Sequence, residues 1–381
     1  MESLCDRFVR KYVRKINPVW FLKYRWRKSY TDKGLDDFIN EYYTEEDCDK
    51  KSLKKTMKQY WICRGVHHSD FYEMSLEKKN ANNRKDFVPR WEEVDLYYQV
   101  NNQRYIDVLR NKGNCFEIFK DFYKRRIVSM FDKDVVERNI KKDVVDFING
   151  HDEFIIKPIR LQGGEGIRVI DKKQEPMDTE RFLLEYMNKP EYSRGFVLEE
   201  LIVQDVRLAA LHPASVNTIR ITTVNYGDSI ETKWPVLRMG RGGSIVDSTT
   251  IGGIFAAIDI KTGITFRATD KQRGSSYSVH PDTQMPLIGF QIPKWEELLE
   301  TIKTMASKCP DCRIMGWDMA LTDNGWVVVE CNFGPELLIQ WAKDSGVRNE
   351  FEIVKKRLHA KKGKSYLNKT LEQYLSVPLN P

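Results

Sequence analysis

Gly316-Trp-Asp-Met-Ala-Leu-Thr-Asp-Asn-Gly-Trp-Val-Val-Val-Glu-Cys-Asn-Phe-Gly334 reads as two short apolar strands joined at Asp323-Asn324-Gly325. Asn and Gly tolerate the positive φ that a tight hairpin demands. Asp318 lies on the first strand, and Glu330 and Asn332 lie at the end of the second. Side chains alternate sides along a strand, so Glu330 and Asn332 share a face, and the hairpin brings Asp318 alongside them. Three oxygen donors at the end of an apolar ribbon suit Mg²⁺, a hard cation that takes a few carboxylate oxygens and completes its shell with water and phosphate. The same residues also fit a solvent-facing hairpin with polar ends. The rest of the chain has to decide.

The chain has 381 residues, enough for two or three domains and a sizeable core. Its 41% apolar and 31% charged residues fit a soluble globular protein. No apolar run reaches the roughly 20 residues that a membrane-spanning helix needs. The N-terminus lacks the apolar core and cleavage site of a signal peptide, so a cytoplasmic protein is expected. Seven cysteines at scattered spacing argue against a disulfide framework and for a reducing compartment. Net charge is +7, and residues 1–28 carry nine Lys/Arg interleaved with Phe8, Tyr12, Trp20, Phe21, Tyr24 and Trp26. The first reading of that segment is a helix with a packed aromatic face and a solvated basic one. Association with an anionic membrane surface, on its inner face, comes second and nucleic acid last.

Residues 1–80 are expected to be mostly helical, with Pro18 breaking the first helix and Asp36–Tyr43 in another. The polar run Lys78–Arg90 reads as a linker or loop, and Tyr105–Lys124 resumes helical spacing. From Phe154 short strands dominate: Phe154–Pro158, Ile167–Ile170, Phe196–Leu201, Asn217–Asn225, Thr232–Met239, Gly253–Asp259 and Ile264–Ala268. Helices are expected at Asp178–Asn188, Lys294–Lys308 and from Glu336 to about Asp344. Lys355–Lys364 reads as a basic tail with a solvated face. Strands mixed with segregated helices give an α+β fold.

Gln162-Gly163-Gly164-Glu165-Gly166 lies between two strands and lacks the spacing of a Walker A loop. A glycine-rich hairpin tip still folds over phosphates, because its backbone N–H groups are free and no Cβ blocks approach. Lys157, one strand upstream, offers such phosphates a point charge. Arg220 stands in an apolar strand, where an unpaired charge is costly, so it has either an acidic partner or a ligand. Arg238 and Arg241 follow in Leu-Arg-Met-Gly-Arg-Gly-Gly. Cys309 and Cys312 form a single Cys-x-x-Cys, short of the four ligands of structural zinc, and read as ordinary thiols. His280, in a loop before Pro281-Asp282, is a candidate substrate contact. No Ser/His/Asp or Cys/His arrangement stands out.

Taken in order, a strand ending in Lys, a glycine-rich hairpin, an apolar strand ending in Glu-Glu, basic residues and a final Asp…Glu-x-Asn resemble the ATP-grasp superfamily over roughly residues 105–345. Ser-Val-Asn-Thr-Ile-Arg-Ile-Thr-Thr, Gly-Arg-Gly-Gly-Ser, Gly-Gly-Ile and Ile-Pro-Lys-Trp-Glu are similar to its sugar-transfer-associated branch. The resemblance implies two α+β subdomains gripping ATP, in a domain spanning 105–350. It would lie between a helical, basic-aromatic region (1–104) and a basic tail (351–381). It implies that Lys112 and Lys157 bind the phosphates, with Gln162, Gly163, Gly164 and Gly166 closing over them. Glu199, Glu200 and Ile202 would meet adenine at the hinge, and Asp205 the ribose. Asp318, Glu330 and Asn332 would hold Mg²⁺. Asn111 replaces the Asp usual before Lys112, and Asp247-Ser248 stands where Asp-Asn is expected.

ATP and Mg²⁺ are therefore the expected cofactors. The expected reaction joins a carboxylate to an amine through an acyl phosphate, with Arg220 stabilising the phosphoryl in flight and Arg238 holding the acyl phosphate or carboxylate. The substrates are then small carboxylates and amines, and the family's name suggests a sugar or cell-surface glycan precursor in polysaccharide biosynthesis. A hydroxyl kinase on the same fold and a non-catalytic nucleotide-binding module are the alternatives.

Overall fold

The computed structural model describes residues 34–44, 49–161, 164–174, 178–272 and 274–360. Residues 1–28, with their basic-aromatic pattern, and Gln162 and Gly163 lie outside that set. The chain divides into two compact units: residues 1–95 with 344–349, and 96–343 with 350–381. Among the described residues no helix is long and apolar enough to cross a membrane.

The described part of the first unit is helical, as expected, with helices Leu35–Tyr42, Lys50–Arg64, His68–Glu73 and Ala81–Asp86. Asp49 starts the second of these by accepting from Ser52 N at 3.1 Å. Leu35, Ile39, Leu53, Met57 and Phe71 are buried, and the Phe38, Tyr42 and Tyr43 rings meet Tyr72 edge-on. The run Lys78–Arg90, expected to be a linker, contains the helix Ala81–Asp86. Asn80 nucleates it by accepting from the N–H groups of Asn82 and Asn83 at 3.0 and 2.9 Å.

The second unit is built on two antiparallel sheets. Strands β1 (Ile127–Phe131), β2 (Glu153–Pro158), β3 (Arg168–Asp171) and β4 (Gly195–Glu199) form the smaller sheet, in the order β1-β4-β2-β3. Helices Lys142–Gly150 and Thr179–Asn188 supply its core with Val144, Phe147, Ile148, Phe182, Leu183 and Tyr186. The sequence reading offers no element for β1 or for Lys142–Gly150.

Strands β5 (Thr218–Asn225), β6 (Ile230–Met239), β7 (Ile254–Ile258), β8 (Thr265–Thr269), β9 (Ile314–Thr322) and β10 (Gly325–Asn332) form the larger sheet, in the order β10-β9-β5-β6-β7-β8. Alternation gives this sheet two different faces. Ile219, Ile221, Leu237, Met239, Ala256, Met315, Trp317, Met319 and Leu321 enter the main core, packed with Leu298, Ile302 and Met305 of helix Trp295–Ser307. Each fully buried large side chain there contributes about 1.5–3 kcal/mol. The residues between them carry the polar groups of the site.

Tyr105–Lys124 is two helices, Gln103–Leu109 and Lys112–Tyr123, because Asn111 caps the second by accepting from Gly113 N and Asn114 N at 3.0 and 3.2 Å. The helix expected from Glu336 shortens to Ile339–Ala342. Helix Arg348–Ala360 occupies the start of the expected basic tail, with Phe351, Val354 and Leu358 buried and Trp234 Nε1 donating to Glu350 at 2.9 Å.

Candidate active site

β9 and β10 pair as the hairpin anticipated, from Thr322 opposite Gly325 inward. Regular pairing carried from that turn would set Val329 across from Asp318. A bulge between Val328 and Glu330 instead places Glu330 opposite Asp318. On the other side Asp318 pairs with Arg220. Glu330, Asp318 and Arg220 therefore form one row across three strands on the face away from the main core. Thr218 and Arg238, also paired, lie one step along the same face.

Arg220 has the acidic partner that its apolar strand required. Its Nε and Nη2 donate to the two oxygens of Asp318 at 2.5 and 2.6 Å. Arg238 Nη1 donates to Asp318 Oδ2 at 2.8 Å, and Asn332 Nδ2 reaches the same oxygen at 3.3 Å. Burial opposes the charge on Asp318, but the two guanidiniums hold its carboxyl below the ordinary range. Arg238 also pairs with Asp247 at 3.2 Å, and Asp247 accepts from the Thr218 hydroxyl. Among the described residues the buried Nε of Arg238 has no hydrogen-bond partner. For Glu330 burial comes first and the Asp318 charge second, and together they raise its carboxyl above the usual value.

Lys157, next to last in β2, donates to Glu199 Oε2 at 3.0 Å. The same oxygen accepts from Arg125 Nη2 at 2.8 Å. Burial pushes against the Glu199 charge, yet Lys157 and Arg125 hold the carboxyl at about 2. Arg125 Nη1 donates to Val328 O at 2.8 Å, beside the bulge, and so ties Glu199 to β10. Lys112, at the start of its helix, donates to Leu161 O. Burial lowers its pKa, against the pull of Glu330 and Glu199. The structure thus brings Lys112 and Lys157 into the electrostatic reach of Glu330, and Glu199 into that of Lys112.

Of the remaining candidates, Gly166 turns with φ +71, where a Cβ would stand 2.6 Å from Pro158 Cγ, and Tyr192 Oη donates to its carbonyl at 2.6 Å. Gly164 turns in the same loop, at φ +85. Glu200 is turned aside, accepting from Arg126 N at 2.7 Å and lying 2.9 Å from His151 Nε2. Ile202 follows β4, half-buried. Asp205 caps the short helix Val206–Ala209, and both its oxygens accept from the Arg207 side chain at 2.8 Å. Cys309 and Cys312 are buried free thiols that burial keeps protonated, with Cys312 pushed up to about 12. Among the described residues no group of three or more His, Cys, Asp or Glu side chains is placed to hold a metal.

Sequence reasoning missed Arg125 and Thr218. For Arg125 a signal existed, in the basic pair Arg125-Arg126 directly before the apolar run Ile127–Phe131.

Residues 91–356, more than two thirds of the chain, match the family described as sugar-transfer associated ATP-grasp. The chain belongs to this ATP-grasp family. Its α+β fold, with one subdomain on β1–β4 and one on β5–β10, is the ATP-grasp fold. Among solved structures, a D-alanine–D-alanine ligase from Helicobacter pylori is similar at 16% identity and TM-score 0.40, over 67% of this chain and 61% of that one. The ATP-grasp ligase PsnB, complexed with minimal precursor, Mg and ADP, is similar at 13% identity and TM-score 0.39, over 68% and 62%. The D-cycloserine synthetase DcsG is similar at 11% identity and TM-score 0.42, over 68% and 73%. The match spans only about three fifths of the first two proteins. At this distance such likenesses carry neither substrate nor activity across. No curated protein matches the chain.

Proposed function

We propose that this ATP-grasp chain is an ATP-dependent ligase that joins a carboxylate to an amine through an acyl phosphate, with residues 105–350 as its catalytic domain. The observation that supports it is the row Glu330–Asp318–Arg220, flanked by Arg238 and within electrostatic reach of Lys112 and Lys157. Lys112 and Lys157 would hold the nucleotide phosphates under the loop that contains Gly164 and Gly166. Glu199, Glu200 and Ile202 would form the adenine hinge. Asp205 would reach the ribose by releasing Arg207.

The oxygen donors fit Mg²⁺. The Glu330 carboxylate makes no hydrogen bond among the described residues. Asp318 Oδ1 takes one donor where an oxygen has two lone pairs, so it retains room for a cation. Glu330, Asn332 and Asp318 would hold the ion, which when bound neutralises charge on phosphate oxygens. Arg220 then stands where negative charge grows on a transferring phosphoryl group, and the unpartnered Arg238 Nε is free to hold an oxygen of the acid. Such positioned cations supply most of the catalysis in phosphoryl transfer, because little covalent chemistry falls to the protein. The carboxylate displaces ADP to give the acyl phosphate, and the amine then displaces phosphate. A glycan precursor as substrate rests on the family's description alone.

Thermal unfolding with and without Mg·ATP tests the site. At about 100 times its dissociation constant a ligand stabilises by roughly 2.7 kcal/mol, a shift of a few degrees. We expect a magnesium-dependent shift in the native chain that Asp318→Asn/Glu330→Gln loses. No shift in the native chain overturns the reading. Free phosphate released with ADP in the presence of acid and amine identifies the ligase, whereas a stable phosphoester identifies a kinase.

A further inference from the structure

Two buried polar clusters in the larger sheet's subdomain take no part in that reading, and both grip the same loop. The His212 and His280 rings lie side by side, tilted by 31° with centroids 5.3 Å apart. Ser215 Oγ lies 2.9 Å from His212 Nδ1 and accepts from Gly240 N at 3.2 Å. His280 Nδ1 accepts from Asp282 N at 3.3 Å, so its Nε2 carries the proton and donates to Gly240 O at 2.9 Å. Asp282 in turn accepts from Gly242 N at 2.6 Å. These bonds fix the start of the connection from β6 to β7. The same connection carries Asp247, the partner of Arg238 and Thr218 in the site.

Arg241 sits between these attachments. Its Nη1 donates to Asp270 Oδ2 at 3.0 Å and to Tyr277 Oη at 2.8 Å, and Tyr277 donates to the same Asp270 oxygen at 2.9 Å. The Asp270 side chain is 1% exposed. Its other oxygen accepts from Gln272 N at 2.8 Å and from the Ser275 hydroxyl. Burying a carboxylate this fully is costly unless it is paired, and here the pairing fixes one edge of the guanidinium. The other edge, Nε and Nη2, has no hydrogen-bond partner among the described residues, and the side chain stays 27% exposed. Glycine at 252 keeps that edge clear, since a Cβ there would come within 3.3 Å of Nη2.

An Nε–Nη2 edge accommodates two oxygens of a carboxylate or phosphate side by side. We propose that Arg241 is an oxyanion subsite that receives a carboxylate or phosphate group of the acceptor substrate. Asp270 and Tyr277 orient it in advance, and the His212–His280 attachments hold its loop. The assignment to the acceptor rests on the ligase reading above. An arginine serving only as a structural ion pair would be indifferent to added anions.

The test follows the Nε–Hε NMR resonance of Arg241 in the full-length chain, assigned by its loss in Arg241→Lys. Acetate is titrated in one series and inorganic phosphate in another, each with and without Mg·ADP. One anion should move the resonance saturably, half-saturating at roughly 10–100 mM, the range that one charge-assisted guanidinium pair allows. The stronger anion names the group. Tyr277→Phe should raise the half-saturation about threefold or more by loosening the anchored edge, with stabilisation by Mg·ADP unchanged. A resonance that moves no more than that of exposed Arg104 with either anion overturns the proposal. If Mg·ADP fails to stabilise the native chain, the ligase reading falls instead, and titration of the nucleotide-free chain still decides Arg241.

Discussion

Lys157 and Arg125 converge on one oxygen of Glu199 and keep a buried carboxyl charged down to about pH 2. Unfolded, the same group protonates near 4.5. The pairing therefore contributes its full stability above that pH and loses it as the pH falls from there towards 2. Glu199→Gln should flatten this acid limb, so that urea midpoints at about pH 7 and about pH 3 differ less than in the native chain. An equal difference in both would place the acid lability elsewhere. At Arg220 the consequence is catalytic. Arg220→Ala should lower the turnover of ATP by roughly 10²–10³-fold and change nucleotide affinity only a few-fold; equal losses in both would make Arg220 a binding residue. Arg220 stood out in the sequence as a charge in an apolar strand that needed an acidic partner or a ligand, and Lys157 as the lysine one strand upstream of the glycine-rich loop. Arg125 lies outside the strand that follows it, and its partners are 74 and 203 residues away. The basic pair before the apolar run marks the position, but no local pattern names partners at that distance.

The hairpin was legible as an element, from its turn and its alternation, but the arrangement of its ligands was not. Counting from the turn alone sends Glu330 to the core side opposite Trp317, and only the extra residue at the bulge returns it to Asp318. Nothing in Val327-Val328-Val329 marks where the pairing will shift, because all three residues suit a strand equally. Arg125 is the side chain in contact with that irregularity. Arg125→Met should therefore lower the unfolding temperature by several degrees and also raise the Mg²⁺ concentration needed for half-maximal stabilisation by ATP. A lower unfolding temperature with an unchanged Mg²⁺ requirement would limit Arg125 to stability. Asn111 gives a smaller case of the same kind. The residue that departs from the family pattern beside Lys112 is the cap of the helix that Lys112 begins. Asn111→Asp should leave stability nearly unchanged, whereas Asn111→Ala should cost about 1 kcal/mol in chemical denaturation.

For the whole molecule, the ordered run of strands made the α+β class readable, while the limits of the units were not. The proposed catalytic domain begins at 105, yet the second unit begins at 96. Tyr97 Oη donates to Pro335 O at 2.8 Å, and Asn101 exchanges two hydrogen bonds of 2.8 Å with Ile314 at the start of β9. A chain beginning at 105 loses all three buried bonds and should melt several degrees below one beginning at 96, as circular dichroism would show; equal melting would favour the boundary at 105. Both units are discontinuous, for each draws on residues beyond 343. Phe351, Val354 and Leu358 join the buried residues of the second unit only after all of residues 96–343 have been made. During synthesis, neither unit is complete until the ribosome has passed residue 343. The nascent chain therefore carries part of each unit's apolar surface uncovered until residues 344–360 have emerged.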